Sequence, residues 1–119
     1  MLVSLKELMA DAEEKGYAVG AFNAVSFESL RAIIAAAEET GKGVILNHAE
    51  VHFPIMPLEV IAPIMVDMAK KAKVPVCVHL DHGNSLETCM KAKKLQEICA
   101  HPNDITRNLL CQDKITSFL

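Results

Sequence analysis

The run Val74-Pro75-Val76-Cys77-Val78-His79-Leu80 limits what this chain can become. So short and nearly continuous an apolar stretch predicts a strand covered on both faces, as in a parallel sheet. Parallel neighbours are joined by long crossovers, most often helices. The sequence supplies them. Ser4-Leu5-Lys6-Glu7 is a capping box, Leu5, Leu8, Met9 and Ala12 follow at helical spacing, and Gly16 closes the helix. Tyr17-Ala18-Val19-Gly20-Ala21-Phe22 is expected as a first strand. Ser26 caps a second helix with Phe27, Leu30, Ile33, Ile34 and Ala37 on its buried face, and Gly41 ends it. Gly43-Val44-Ile45-Leu46 is expected as a second strand. Leu58, Ile61, Ala62, Met65, Ala69 and Ala72 form a third helical stripe, in which Pro63 is expected to make a kink or mark the true start.

Helix, strand, helix, strand, helix, strand predicts an α/β fold with a parallel sheet. Beyond Leu86 the pattern loosens. Leu86, Cys89 and Met90 begin a helical stripe whose next core position falls on Lys93, with Leu95, Ile98 and Cys99 out of phase. After His101-Pro102 only a short helix from Asn103, around Ile105 and Leu109, is expected. The chain is therefore divided into residues 1–91 and a tail, 92–119, of different character.

A length of 119 residues fits one domain. Half of the chain, 51%, is apolar and the net charge is −3, so a packed core is within reach while a basic footprint for nucleic acid is absent. No apolar run approaches the roughly 20 residues that span a bilayer. The first residues, Met1-Leu2-Val3-Ser4-Leu5-Lys6, lack the pattern of a secretory signal. Cys77, Cys89, Cys99 and Cys111 form no C-x-x-C pair and are expected to be reduced structural thiols of a cytoplasmic protein.

The densest chemical cluster is His79-Leu80-Asp81-His82-Gly83, where the third strand ends. Ligands of α/β folds gather beyond the carboxyl ends of parallel strands. Alternation sets His79 and Asp81 on one face, His82 begins the turn, and Gly83 is expected to let the chain leave sharply. Neutral imidazole is a good zinc ligand, and a neighbouring carboxylate can move a proton on a polarised substrate. Spacing alone serves equally well a pair of structural histidines with Asp81 capping the helix from Leu86. Asn47-His48-Ala49-Glu50-Val51-His52 is a second cluster, in which Glu50 and His52 are expected as loop hydrogen-bonding groups. Asn23, beyond the first strand, either donates to substrate or holds a turn.

Three segments, in order, resemble class II ketose-bisphosphate aldolases: Gly16-Tyr17-Ala18-Val19-Gly20-Ala21-Phe22-Asn23, then Gly43-Val44-Ile45-Leu46, then Val74 through Gly83 with its Asp81-His82 turn. The likeness covers about residues 1–91. It implies a partial (β/α)8 TIM barrel: the first three βα units, preceded by an N-terminal helix. It further implies zinc-dependent, reversible cleavage of a phosphorylated sugar, a fructose- or tagatose-type ketose 1,6-bisphosphate, to dihydroxyacetone phosphate and glyceraldehyde 3-phosphate. By position, Asp81 would be the catalytic acid–base residue, His82 one of three zinc ligands and Asn23 a substrate-binding residue, with His79 facing the interior nearby. Relatives suggest a homo-oligomer, and neither nucleic acid nor membrane is expected as a partner.

The chain departs from the family pattern at Ala49, where many relatives carry a hydroxyl, and after residue 92, where no fourth strand is recognisable. A closed barrel takes about 250 residues. A truncated or frameshifted product is therefore expected, inactive as an isolated chain. The alternative is a non-catalytic α/β fragment that holds no stable metal.

Overall fold

A computed structural model describes residues 1–95 and 99–102. Its elements are α1 (Leu5–Lys15), β1 (Gly20–Asn23), α2 (Phe27–Thr40), β2 (Val44–Ala49), a 3-10 turn (Glu50–His52), α3 (Leu58–Lys71), β3 (Val76–Gly83), α4 (Leu86–Lys94) and β4 (Cys99–Pro102). The strands form one sheet in the order β1-β2-β3-β4, every neighbouring pair parallel. Three parallel strands were expected, and the structure adds a fourth. The expected helix from Asn103 and the position of Cys111 lie outside the described residues.

Local chemistry sets the boundaries of the helices. Ser4 Oγ accepts the N–H of Glu7 at 3.2 Å, while the Glu7 carboxylate accepts the N–H of Ser4 at 2.8 Å. Ser26 and Ser29 make the same reciprocal arrangement for α2. Gly16 and Gly41 end α1 and α2 in the left-handed region, at φ 67° and 65°, where a side chain would be strained. Pro63 does not start α3, which runs through it from Leu58. Its missing N–H strands only the carbonyl of Glu59, on an exposed face that water reaches.

The expected buried face of α4 needs correction. Leu86 and Met90 are exposed, and Thr88, Cys89 and Ala92 face inward, with Leu95 packed against the core. The stripe is rotated by one residue, so Lys93 falls outside it and Leu95 is in phase. Met9 and Phe27, expected inside, are also exposed.

The two faces of the sheet differ. Val44, Leu46, Val76, Val78 and Leu80 point to one core with Leu30 and Ile34 of α2, Ile61 and Met65 of α3, and Cys89 of α4. On the other face Ile45 and Cys77 meet Leu8 of α1, with Val3, Leu5 and Val19 around them. That face is the concave interior of a barrel wall, and α1 lies across its N-terminal end. This placement explains why β1 starts at Gly20 and not at Tyr17. After Gly16 the chain needs Tyr17 to Val19 to leave α1, with Val19 packing into the lower cluster and the Tyr17 hydroxyl donating to Asp11 at 2.6 Å. Among the described residues, β1 has a strand neighbour on one side only. No described helix is long and apolar enough to cross a membrane.

Candidate functional site

With the N-terminal end of the concave face filled, the opposite end holds the polar side chains. The register pairs Asn23 with Asn47 and Asn47 with His79, then Ala49 with Asp81 one step further along. Strand alternation sets all of these on the face that carries Ile45 and Cys77 lower down. Asn47 Oδ1 accepts from His79 Nδ1 at 3.0 Å. Reaching across two strands, that bond orients the imidazole just below Asp81.

Asp81 and His82 share one environment at the exit of β3. Asp81 Oδ1 lies 3.6 Å from His82 Nε2, beyond hydrogen-bond length but close enough for charge to be felt. The Asp81 side chain is 29% exposed and that of His82 is 69% exposed, so both are open to a ligand from solvent. Asp81 does not cap α4. Ser85 does, its hydroxyl accepting the N–H of Thr88 at 3.1 Å.

The sequence puts the sharp departure at Gly83, but the unusual backbone falls one residue earlier, at His82, where the pairing of β3 with β4 shifts register. His82 is the one described non-glycine residue with positive φ, at 51°, while Gly83 is buried and still in the strand. Histidine enters this left-handed region more readily than most residues do, yet it remains sparsely populated. The backbone there is shaped by its surroundings, as is common at functional sites.

The second cluster divides in two. His48 is on the helix-covered face, 1% exposed, with Nδ1 2.9 Å from the Ala24 carbonyl oxygen and Nε2 2.9 Å from that of Met56. A neutral imidazole carries one N–H, so His48 donates to one of these two carbonyls and turns its other nitrogen toward the second. His52 Nδ1 accepts the N–H of Ala49 at 3.3 Å, and Glu50 Oε2 accepts the N–H of Asn84 at 2.6 Å. Both are loop hydrogen-bonding groups, as expected. What the sequence did not disclose is where Glu50 reaches: the turn immediately after His82. Nor did it disclose the Asn47–His79 pair, although a polar residue two places after Ile45 was the available signal.

Among the described residues no three His, Cys, Asp or Glu side chains gather as a metal would require. His82 offers one imidazole, and a catalytic zinc takes about three protein ligands. These residues do not make a zinc site by themselves.

Comparison with known proteins places this geometry. Residues 3–102 match the family model described as fructose-bisphosphate aldolase class-II. A probable fructose-bisphosphate aldolase of Bacillus subtilis is 46% identical over 94 residues, covering 76% of this chain and 33% of the relative. A fructose-bisphosphate aldolase of Helicobacter pylori is 37% identical over 95 residues, covering 79% and 31%. The crystal structure of the YdjI aldolase of Escherichia coli K12 superposes with a TM-score of 0.76 at 37% identity, over 80% of this chain and 37% of that one. The chain thus spans about a third of the length of the curated relatives it matches.

Proposed function

The chain belongs to the class II fructose-bisphosphate aldolase family, and on that premise we propose that the exit of β3 is part of a site for reversible aldol cleavage. The substrate is a ketose 1,6-bisphosphate, and the products are dihydroxyacetone phosphate and glyceraldehyde 3-phosphate. The observation that carries this reading is the Asp81–His82 pair, 3.6 Å apart and open to solvent at the carboxyl end of a parallel strand.

In cleavage, the Asp81 carboxylate takes the proton of the substrate's C4 hydroxyl as the C3–C4 bond breaks. The bonding pair stays on C3, which takes up a proton to give dihydroxyacetone phosphate, and C4 becomes the carbonyl carbon of the departing aldehyde. In condensation Asp81 returns the proton. Its partial burial beside an imidazole suits a group that must hold a proton briefly near the reacting carbon. Asn23, exposed two strands away on the same face, is proposed to donate its amide to the substrate. His79, oriented by Asn47, supports the floor of the site.

Zinc, whose Lewis acidity suits carbonyl chemistry, is the proposed metal, with His82 as one of its donors. The described residues do not complete that site, so its other ligands belong to strands beyond them. The isolated 119-residue chain is accordingly expected to show no turnover. The completed barrel is proposed to be a cytoplasmic homo-oligomer.

A second reading, a non-catalytic α/β fragment without stable metal, is favoured by the side of β1 that has no strand neighbour and by the lack of three gathered metal-holding side chains, both among the described residues. One experiment separates the two. Residues 3–102 would replace the matching segment of the Bacillus subtilis relative, and cleavage of fructose and tagatose 1,6-bisphosphate would be assayed. Turnover lost on chelation and in the Asp81→Ala variant supports the aldolase reading. A folded chimaera that binds no zinc and cleaves neither sugar supports the fragment.

A further inference from the structure

We propose that Glu50 is the positioning residue for the turn that carries His82. This rests on the reading of Asp81 and His82 as the functional pair but draws on a different observation. His82 has positive φ, which a side chain rarely adopts without support from its surroundings. Beside His82, Gly83 is paired with Pro102 of β4 across a register shift that opens after Leu80, and Ser85 is engaged with α4. On the β2 side the anchor comes from the neighbouring loop. Glu50 Oε2 accepts the N–H of Asn84 at 2.6 Å, two residues past His82 and one before the α4 cap. A carboxylate accepting a backbone N–H makes one of the stronger kinds of hydrogen bond.

Glu50 is itself well placed to act as a fixed point. It opens the 3-10 turn directly after β2, its carbonyl accepts the N–H of Phe53 at 3.1 Å, and the preceding Ala49 is held by His52 and paired in register with Asp81. The two loops therefore start from the same level of the sheet. The Glu50 bond spans the gap between them, closing a loop of contacts through Ala49, Asp81, His82 and Asn84. Without it the stretch from His82 to Asn84 loses this tie to the β2 loop, and the left-handed backbone at His82 relaxes toward extended values. Asp81, one residue earlier and within the strand, keeps its place.

Isotope-labelled NMR on the full 119-residue chain tests this. In the unmodified chain the Asn84 amide should exchange about tenfold more slowly than its open-chain rate, the factor a net hydrogen bond of ordinary strength sets, and the His82 Cα shift should report a left-handed backbone. Glu50→Ala should abolish the Asn84 protection and move the His82 shift toward extended values while Val78 and Leu80 stay protected. Glu50→Gln, which keeps an oxygen acceptor in place, should retain most of both. Should Glu50→Ala also unprotect Val78 and Leu80, Glu50→Asp decides in its stead, its carboxylate being one methylene too short. Loss confined to Asn84 and His82 supports the proposal, and unchanged signals there overturn it. An Asn84 amide exchanging at the open-chain rate in the unmodified chain overturns it outright. None of these signals reads turnover or metal, so failure of the aldolase assay and failure of this proposal are separately visible.

Discussion

The two ends of the concave face are built from the same three strands and do opposite things. At the N-terminal end Ile45 and Cys77 close on Leu8 of α1, and the interior is dry. Two residues further along each strand, Asn47 and His79 take those positions, then Ala49 and Asp81. Because side chains repeat on a face every second residue, a strand passes from packing to chemistry in about 7 Å. The lesson is that one helix, α1, decides which end is which. By packing the lower end it leaves the polar side chains at the other, toward Asp81 and His82.

The largest expected effect breaks function without touching the fold. In the completed barrel, Asp81→Asn should lower turnover by about 10²–10⁴-fold, the usual worth of a positioned acid–base group. Its effect on stability should stay within about 0.5 kcal/mol, as for surface substitutions away from packing. Steady-state kinetics beside a urea midpoint would check both. A variant that turns over normally, or that unfolds, removes the contrast between the two ends. Leu8→Ala is the converse. It deletes a fully buried side chain from the sealed end and should cost about 2–5 kcal/mol, read as a fall in the urea midpoint. A loss below about 1 kcal/mol would mean that α1 does not hold that end shut.

His48 sharpens the comparison, because it is a polar residue of β2 that belongs to neither end of the concave face. Its ring joins the Ala24 and Met56 carbonyls on the helix-covered side. His48→Leu keeps the volume roughly and removes the ring's donor from the carbonyl it serves, so about 1–3 kcal/mol of stability should go. Equal stability of variant and parent in denaturant would show that water replaces the ring without loss.

How much of this could be read beforehand follows the same division. The strands and helices with strong periodicity were foreseeable, since Val44 to Leu46 and Val76 to Leu80 are apolar enough to be buried on both faces. So was the placement of Asn23, Asp81 and His82 toward the carboxyl ends of parallel strands, because such strands deliver those ends together. What could not be read were features fixed by tertiary partners. The stripe of α4 is set by where Ser85 caps it and by Ala92 meeting the core, and a reading that begins at Leu86 starts on the wrong residue. β4 is a short segment, Cys99–Pro102, with no apolar alternation to announce it, and it exists because β3 offers an edge. The sharp departure was expected at Gly83 by propensity alone, whereas the positive φ falls on His82, near a bond from Glu50 to Asn84 that reaches in from another loop. His48 carried two possible meanings until its two carbonyl partners were visible.

The smallest expected effect concerns the helix that seals the lower end. The carboxyl of Glu7 is held below the usual range, first by the backbone N–H of Ser4 and then by its hydroxyl. That of Asp11 is lowered by Lys15 and then by the Tyr17 hydroxyl. Both groups are fully exposed, so each contributes modestly. The sign is fixed nonetheless. In the unfolded chain these carboxylates take up protons near their ordinary values of about 4, and in the folded chain only at lower pH. Their contribution is therefore complete above the ordinary values and is lost as pH falls through the folded ones. Protonated Glu7 no longer accepts as an anion from Ser4, and the first turn of α1 loses half of its capping box. Amide protection in α1, taken relative to the intrinsic exchange rate at each pH, should fall below about pH 4, ahead of protection in β2 and β3, and Glu7→Gln should flatten that acid dependence. An unchanged acid slope in Glu7→Gln would place the acid-sensitive group elsewhere. Loosening that begins in β3 would mean that the open end, and not α1, is the first part of the sheet to give way.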